Sequence, residues 1–258
     1  MLECPMHFFL GANSPAGFVS FYDELTSQAG EGRLFVIKGG PGTGKSTLMR
    51  RMAEALSRRE AEMEYIHCSS DPDSLDAVIF PRSGIAAADA TPPHVIEPQC
   101  PGACETVVSL CGCWDEELLQ ERRQEITSLC RQNSLCHQQC VRFLSAAHSL
   151  LSDNMSIAVN CLDTRKIAKT AAGIVARECR RRKRGPSVEK KRLLTAVTPK
   201  GNIGFPETVA ALCPRLYYIK DPYGAASGML LASIRSLLME YGLTLYTCFC
   251  PLSPRQKI

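Results

Sequence analysis

Residues 33–47 read RLFVIKGGPGTGKST, an apolar run from Arg33 to Lys38 followed by a glycine loop from Gly39 to Thr47. The pattern G-x-x-x-x-G-K-[ST] is met by Gly39, Gly44, Lys45 and Ser46. Gly30 and Gly32 precede the run and glycines follow it, so Arg33 to Lys38 is predicted to be a strand. The next segment, TLMRRMAEALSRR from Thr47 to Arg59, puts Leu48, Met52, Ala55 and Leu56 on one face of a predicted helix. Strand, glycine loop and helix in that order predict an α/β fold of the P-loop NTPase type, a mostly parallel sheet flanked by helices.

The residue types suit phosphate chemistry. Glycines let the backbone curl with its N–H groups pointing inward, and a helix that starts there adds the positive end of its dipole. Gly39, Gly40, Pro41, Gly42, Thr43, Gly44, Lys45, Ser46 and Thr47 are therefore the expected nucleotide-binding residues, with ATP and Mg²⁺ the expected cofactors. Lys45 can reach the β and γ phosphates, and the Ser46 hydroxyl can ligate the metal.

Such a site also needs a carboxylate on the metal side, usually at the end of a neighbouring strand. The run GIAAAD from Gly84 to Asp89 ends in an acid, so Asp89 is expected to serve the metal and, with Lys45, the chemistry. The plainer reading makes Asp89 the start of the turn Ala90-Thr91-Pro92-Pro93. Asp71, Asp73 and Asp76 in SSDPDSLD, after a predicted strand from Met63 to Cys68, compete for the metal or for a substrate; Asp71 before Pro72 also suits a turn. Ala90 follows Asp89, so a glutamate that would orient water is missing from its usual place. His67 and His94 end the second and third predicted strands, where a doubly wound sheet binds ligands, and either could orient water or touch phosphate; the plainer reading makes each a structural histidine.

The composition, 45% apolar and 22% charged, is that of an ordinary globular protein. No run of eighteen apolar residues suggests a membrane span and no signal-like leader is seen, so a cytoplasmic location without membrane contact is expected. The 14 cysteines are then expected to be reduced and buried. CPGAC and CGC lack paired C-x-x-C spacing, which makes packing, rather than zinc, the reading of these cysteines. The net charge is +4 and uneven: Arg177, Arg180, Arg181, Arg182, Lys183 and Arg184 form one basic block, with Lys190, Lys191 and Arg192 just after it. Without interleaved aromatics the block reads as a solvated helix end or linker in preference to a nucleic-acid contact.

The chain also repeats itself. RLYYIK at Arg215–Lys220 follows RLFVIK at an offset of 182, and the same offset matches Gly224 to Gly42, Leu230 to Leu48, Cys250 to Cys68 and Pro254 to Pro72. Upstream, TPKGNIGF from Thr198 matches SPAGFVSF from Ser14 at an offset of 184. The second loop, DPYGAASG from Asp221 to Gly228, has Ala226, Ser227 and Gly228 in place of Gly44, Lys45 and Ser46. It is expected to bind no triphosphate. Since Ile258 matches Asp76, the second unit is expected to hold two strands and one helix, including a buried strand at Leu216–Ile219. Between the copies, Trp114–Ser152 and Asp163–Arg184 are predicted helices, with Leu118, Ile126, Leu129, Leu144 and Leu151 at helical spacing. The expected organisation is a nucleotide-binding unit at residues 1–113, a helical hairpin or lid at 114–192, and a degenerate, truncated repeat at 193–258.

HFFLGANSPAGFVSFYDEL, GGPGTGKST, HCSSDPDSLDAV, and TPPHVIEPQCPGACE with the following WDEEL resemble a family of bacterial tandem P-loop, AAA-like ATPases. That resemblance implies nucleotide binding and ATPase activity, and it names no substrate. Slow Mg²⁺-dependent hydrolysis of ATP is the expectation. The alternatives are phosphotransfer to a small-molecule acceptor beneath the helical region, and a nucleotide-dependent regulator acting on a protein or nucleic-acid partner.

Overall fold

The computed structural model describes residues 5–28, 32–60, 62–179 and 186–257. The first part contains β1 (Met6–Phe8), β2 (Gly11–Ser14), β3 (Gly17–Ser20), α1 (Asp23–Gln28), β4 (Arg33–Lys38), α2 (Lys45–Leu56), β5 (Glu64–His67), β6 (Leu75–Phe80), β7 (Ile85–Asp89) and β8 (Glu105–Ser109). A short 3-10 turn at Cys111–Cys113 leads to α3 (Glu116–Glu121), α4 (Arg123–Val159) and α5 (Thr164–Glu178). The remainder is β9 (Val188–Arg192), β10 (Thr195–Thr198), β11 (Gly201–Gly204), α6 (Pro206–Leu212), α7 (Ala225–Glu240), β12 (Thr244–Cys250) and β13 (Ser253–Lys257).

Six strands form one mixed sheet in the order β1-β5-β6-β7-β4-β8. All its pairings are parallel except the two made by β6. The sequence reading missed β6, whose six residues LDAVIF are all buried. An apolar run of that length between Ser74 and Pro81 suits a strand covered on both faces. One side of the sheet packs Ile37, Val78, Phe80 and Ala87 against Met49 and Ala53 of α2. The other packs Phe8, Leu34, Ile66 and Ile79 against Tyr22 and Leu25. The buried face of α2 is centred on Met49 and Ala53, with Leu48, Met52 and Leu56 flanking it, whereas Ala55 points outward.

The antiparallel direction of β6 decides which residues share one edge of the sheet. Parallel β4 and β7 end at the same edge, with Ile37 beside Asp89. Because β6 runs the other way, its beginning lies at that edge, with Ala77 beside Ala88.

The second part reproduces the first in register. β1 pairs with β5 through Met6↔Glu64, His7↔Tyr65 and Phe8↔Ile66, and β9 pairs with β12 through the matched residues Lys190↔Tyr246, Lys191↔Thr247 and Arg192↔Cys248. The hairpin β2–β3 closes with the Ser14 hydroxyl donating to Gly17 O; in β10–β11 Thr198 donates in the same way to Gly201 O. His67↔Leu75 recurs as Phe249↔Lys257, so β13 corresponds to β6. Matched residues also meet one another. Phe9 and Leu193 exchange two backbone hydrogen bonds of 2.8 Å, and Tyr246 donates to Glu64 at 2.8 Å. The two parts thus meet through matched residues at this seam.

Several expectations fail against these elements. Residues 215–220 form no strand, and Tyr218 is 90% exposed. β4 is a strand because β7 and β8 bond it on both sides; residues 215–220 have no such neighbours among the described residues, and an apolar composition alone does not make a ladder. The second part also holds more than two strands and a helix, because its hairpin and β9 belong to it. Residues 188–192, read from sequence as the end of the helical segment, are that β9. The long helices are present, but Leu118, Ile126, Leu129 and Leu151 are exposed on them and only Leu144 of that set is buried. None of the thirteen described cysteines is fully buried and all are free; those on α4 are exposed or half-buried because α4 itself is largely uncovered. Of the basic block, Arg180–Arg184 lies outside the described residues. No helix among the described residues is long and apolar enough to cross a membrane.

Candidate functional site

The loop is shaped by its glycines. Gly42 and Gly44 have φ of 78° and 86°, the left-handed region that side-chain-bearing residues avoid. Gly44 is the N-cap of α2 and makes no side-chain cap, so the first-turn N–H groups face the loop without a capping side chain. Thr43 Oγ1 donates to Gly40 O at 2.8 Å, which closes the loop on itself. Lys45 Nζ donates to Gly39 O at 2.7 Å and Gly40 O at 2.8 Å, so the ammonium lies over the loop mouth. The Ser46 hydroxyl accepts from Leu75 N–H at 2.9 Å and ties the start of α2 to the start of β6.

The strand edge brings acids to that ammonium. Lys45 Nζ stands 3.5 Å from Asp89 Oδ2. The other oxygen of Asp89 accepts from Thr91 N–H at 2.9 Å and from the Thr91 hydroxyl. The turn reading and the functional reading of Asp89 therefore describe different oxygens of one carboxylate. Of the competing acids, Asp76 is the one gathered in, through the direction of β6. Its Oδ2 accepts from the Tyr22 hydroxyl at 3.0 Å, and its Oδ1 stands 3.5 Å from His94 Nε2. Asp71 accepts from the Ser74 hydroxyl at 2.6 Å, and Asp73 pairs with Lys200, both exposed. One ligand atom each from Asp76, Asp89 and His94 lies within 4.8 Å of the others, and all three residues are buried.

The two histidines part company. His94 stacks on Tyr22 with ring centroids 4.9 Å apart, beside the acids. His67 instead bonds His7 Nδ1 at 2.8 Å and Pro72 O at 2.9 Å, and packs on Phe205. Burial lowers its pKa, which keeps the ring neutral. His67 thus has the structural role, and it does not join the loop. Burial and the nearby Asp76 push the Cys68 thiol up to about 12, so it stays protonated. Two aromatic residues, one over the loop and one beside the acids, escaped the sequence reading. Trp114 lies over Gly40, where a Cβ would come within 3.2 Å of its ring, and Tyr22 anchors Asp76. No local pattern marks either; the fold alone brings them there.

Residues 20–86 match the family model described as "Nephrocystin 3, N-terminal". That is roughly a quarter of the chain. It takes in β4, the glycine loop, α2, β5 and β6, with Asp76, and stops before Asp89 and His94. No curated protein and no solved structure matches this chain.

Proposed function

We propose that this chain is a P-loop NTPase that binds ATP with Mg²⁺ at Gly39–Thr47 and hydrolyses it slowly. The observation that carries the reading is the approach of Lys45 to Asp89 at 3.5 Å, at the edge where parallel β4 and β7 end and a glycine-capped helix begins. Lys45 exchanges the Gly39 and Gly40 carbonyls for phosphate oxygens, while the free N–H groups of the first turn of α2 receive the remaining charge. Ser46 and Asp89 would hold Mg²⁺, which neutralises developing phosphate charge when bound. The residues fit that ion in donor type, a hydroxyl oxygen at the start of α2 and a carboxylate at the end of β7.

Slow turnover follows from the surroundings of Asp89. Ala90 offers no base, and Asp76 is committed to Tyr22 and held beside His94. Water positioning is thus left to groups already engaged. The test is calorimetric titration of the full chain with ATP and GTP, paired with phosphate release, for the wild type and Lys45→Ala. Micromolar binding with turnover well below one per second supports the reading, and equal affinity in the two proteins overturns it.

A further inference from the structure

Asp76 and Asp89 are buried to 5% and 8% exposure and His94 to 7%, so a pair of carboxylates and an imidazole share a site nearly closed to water. Burying two carboxylates side by side is costly unless cations balance them. Lys45, at 3.5 Å from Asp89, supplies one positive charge. Beside Asp76 stands the His94 ring, with no lysine or arginine paired to that carboxylate among the described residues.

The carboxylates are oriented by donors on their far sides. Tyr22 and Thr91 each occupy one oxygen, of Asp76 and Asp89 respectively, and leave the other directed elsewhere. Asp76 Oδ1 and His94 Nε2 stand 3.5 Å apart. That is long for a charge-assisted hydrogen bond. It is close to the roughly 3.4 Å that separates two ligand atoms bound at about 2.1 Å to one tetrahedral cation. His94 Nδ1 is buried and has no hydrogen-bond partner. No hydrogen bond at Nδ1 sets the tautomer of the ring, and the ring stacks on Tyr22 with centroids 4.9 Å apart.

We propose that Asp76, Asp89 and His94 form a binding site for a divalent transition-metal cation, of the Mn²⁺ or Zn²⁺ type, that fills without nucleotide. A nitrogen ligand beside two carboxylates favours such ions over Mg²⁺, which prefers oxygen donors and its own waters. The site shares Asp89 with the nucleotide reading. Only its placement beside bound phosphate rests on that reading; the cation binding itself does not.

The probe is Mn²⁺, because the thirteen described free cysteines would compete for softer Zn²⁺. The nucleotide-free full chain is titrated with Mn²⁺ and free ion is read by electron paramagnetic resonance, with Mg²⁺ as competitor. One Mn²⁺ per chain is expected, displaced by Mg²⁺ only at a concentration at least about tenfold higher. Asp76→Asn and His94→Asn are each expected to weaken Mn²⁺ binding at least about tenfold, and Tyr22→Phe to weaken it less. Asp73→Asn leaves it unchanged. Lys45→Ala, which removes a competing cation from Asp89, binds Mn²⁺ more tightly. Circular dichroism and melting of each variant confirm folding, and Mn²⁺ raises the wild-type melting temperature more than equal Mg²⁺, a readout that needs no variant. Absence of saturable Mn²⁺ binding by the wild type, or binding unchanged in both Asp76→Asn and His94→Asn, overturns the proposal. If Mn²⁺ binds in the expected manner and ATP does not, the cation site stands and the nucleotide reading falls.

Discussion

Lys45 and Asp89 face each other at 3.5 Å with different anchors behind them: the ammonium is held by the Gly39 and Gly40 carbonyls, the carboxylate by Thr91. Neither anchor occupies the oxygen that faces Lys45. The split carboxylate lets the two functions of Asp89 be separated by substitution. Asp89→Asn retains an oxygen for Thr91 and loses the charge. Turnover and its Mg²⁺ dependence should fall at least about a hundredfold, while ATP affinity in EDTA and the melting temperature change little. Asp71→Asn is the control, and steady-state phosphate release is the measurement. A large effect from Asp71→Asn with none from Asp89→Asn would show that Asp71, not Asp89, serves the metal.

The chain has one tryptophan, and it reports on the loop. Trp114 lies so close over Gly40 that an added Cβ would meet its ring at 3.2 Å. Ligand binding that shifts the Gly39 and Gly40 carbonyls must change the indole's surroundings. Trp114 emission is expected to change saturably with ATP, and the change should be lost in Lys45→Ala. A titration in which calorimetry detects ATP binding and emission stays flat would show that the loop does not move against Trp114.

A buried ion network joins the two parts. Arg192 Nε donates to Glu64 at 2.8 Å, and Arg192 Nη1 reaches Glu24 at 3.4 Å. Burial alone raises the Glu64 pKa, but Arg192, Lys190 and the Tyr246 hydroxyl outweigh it and hold it below the ordinary 4.5. A depressed carboxylate pKa contributes stability above the ordinary value, lost as pH falls through the folded value. This contribution should therefore be constant at neutral pH, begin to fall near 4.5 and be lost as pH drops through the lower folded-state value. Arg192→Met leaves Glu64 buried without its main partner and should cost about 3–5 kcal/mol in urea unfolding at pH 7. The double variant with Glu64→Leu should recover much of that loss, which a merely steric effect at position 192 would not.

What the sequence disclosed and what it hid have separate physical causes. The strand, loop and helix at Arg33–Leu56 were legible because each residue is dictated locally: φ at Gly42 and Gly44, apolar spacing on α2, and an apolar run at β4. Asp89 was legible as the acid that ends an apolar run. The grouping of Asp76 with Asp89 was not, because it depends on the direction of β6, and strand direction is a property of the sheet. His67 ends β5, whereas His94 lies in the turn five residues after β7 ends at Asp89, and packing on Tyr22 or His7 gives the two rings their different surroundings. The false strand at Leu216–Ile219 has the complementary origin. Its residues copy β4, but a strand also needs neighbours, and the repeat offset carries no information about those.

The second loop supplies the last prediction. Asp221 stands at the position matching Gly39, and its carboxylate accepts from Ser227 N–H at 2.8 Å and Tyr223 N–H at 3.2 Å. Ser227 matches Lys45, so a backbone donor at the helix start, where phosphate is expected to sit in the first loop, is here satisfied by the protein's own anion. These backbone bonds hold the Asp221 pKa below its ordinary value, so the carboxylate is charged at neutral pH. Gly224, with φ of 73°, keeps the left-handed turn of the matching Gly42, but α7 starts directly after it at Ala225, two matched positions earlier than α2, so the second loop is shorter as well as chemically replaced. One ATP per chain is therefore expected, and Lys45→Ala should abolish binding and not halve it. Asp221→Gly uncovers the helix start, yet it restores neither the lysine nor the hydroxyl, so it should not add a second ATP. Calorimetric stoichiometry decides the matter: two equivalents bound by the wild type, with one surviving in Lys45→Ala, would mean that Asp221 gives way to phosphate and that the second loop still works.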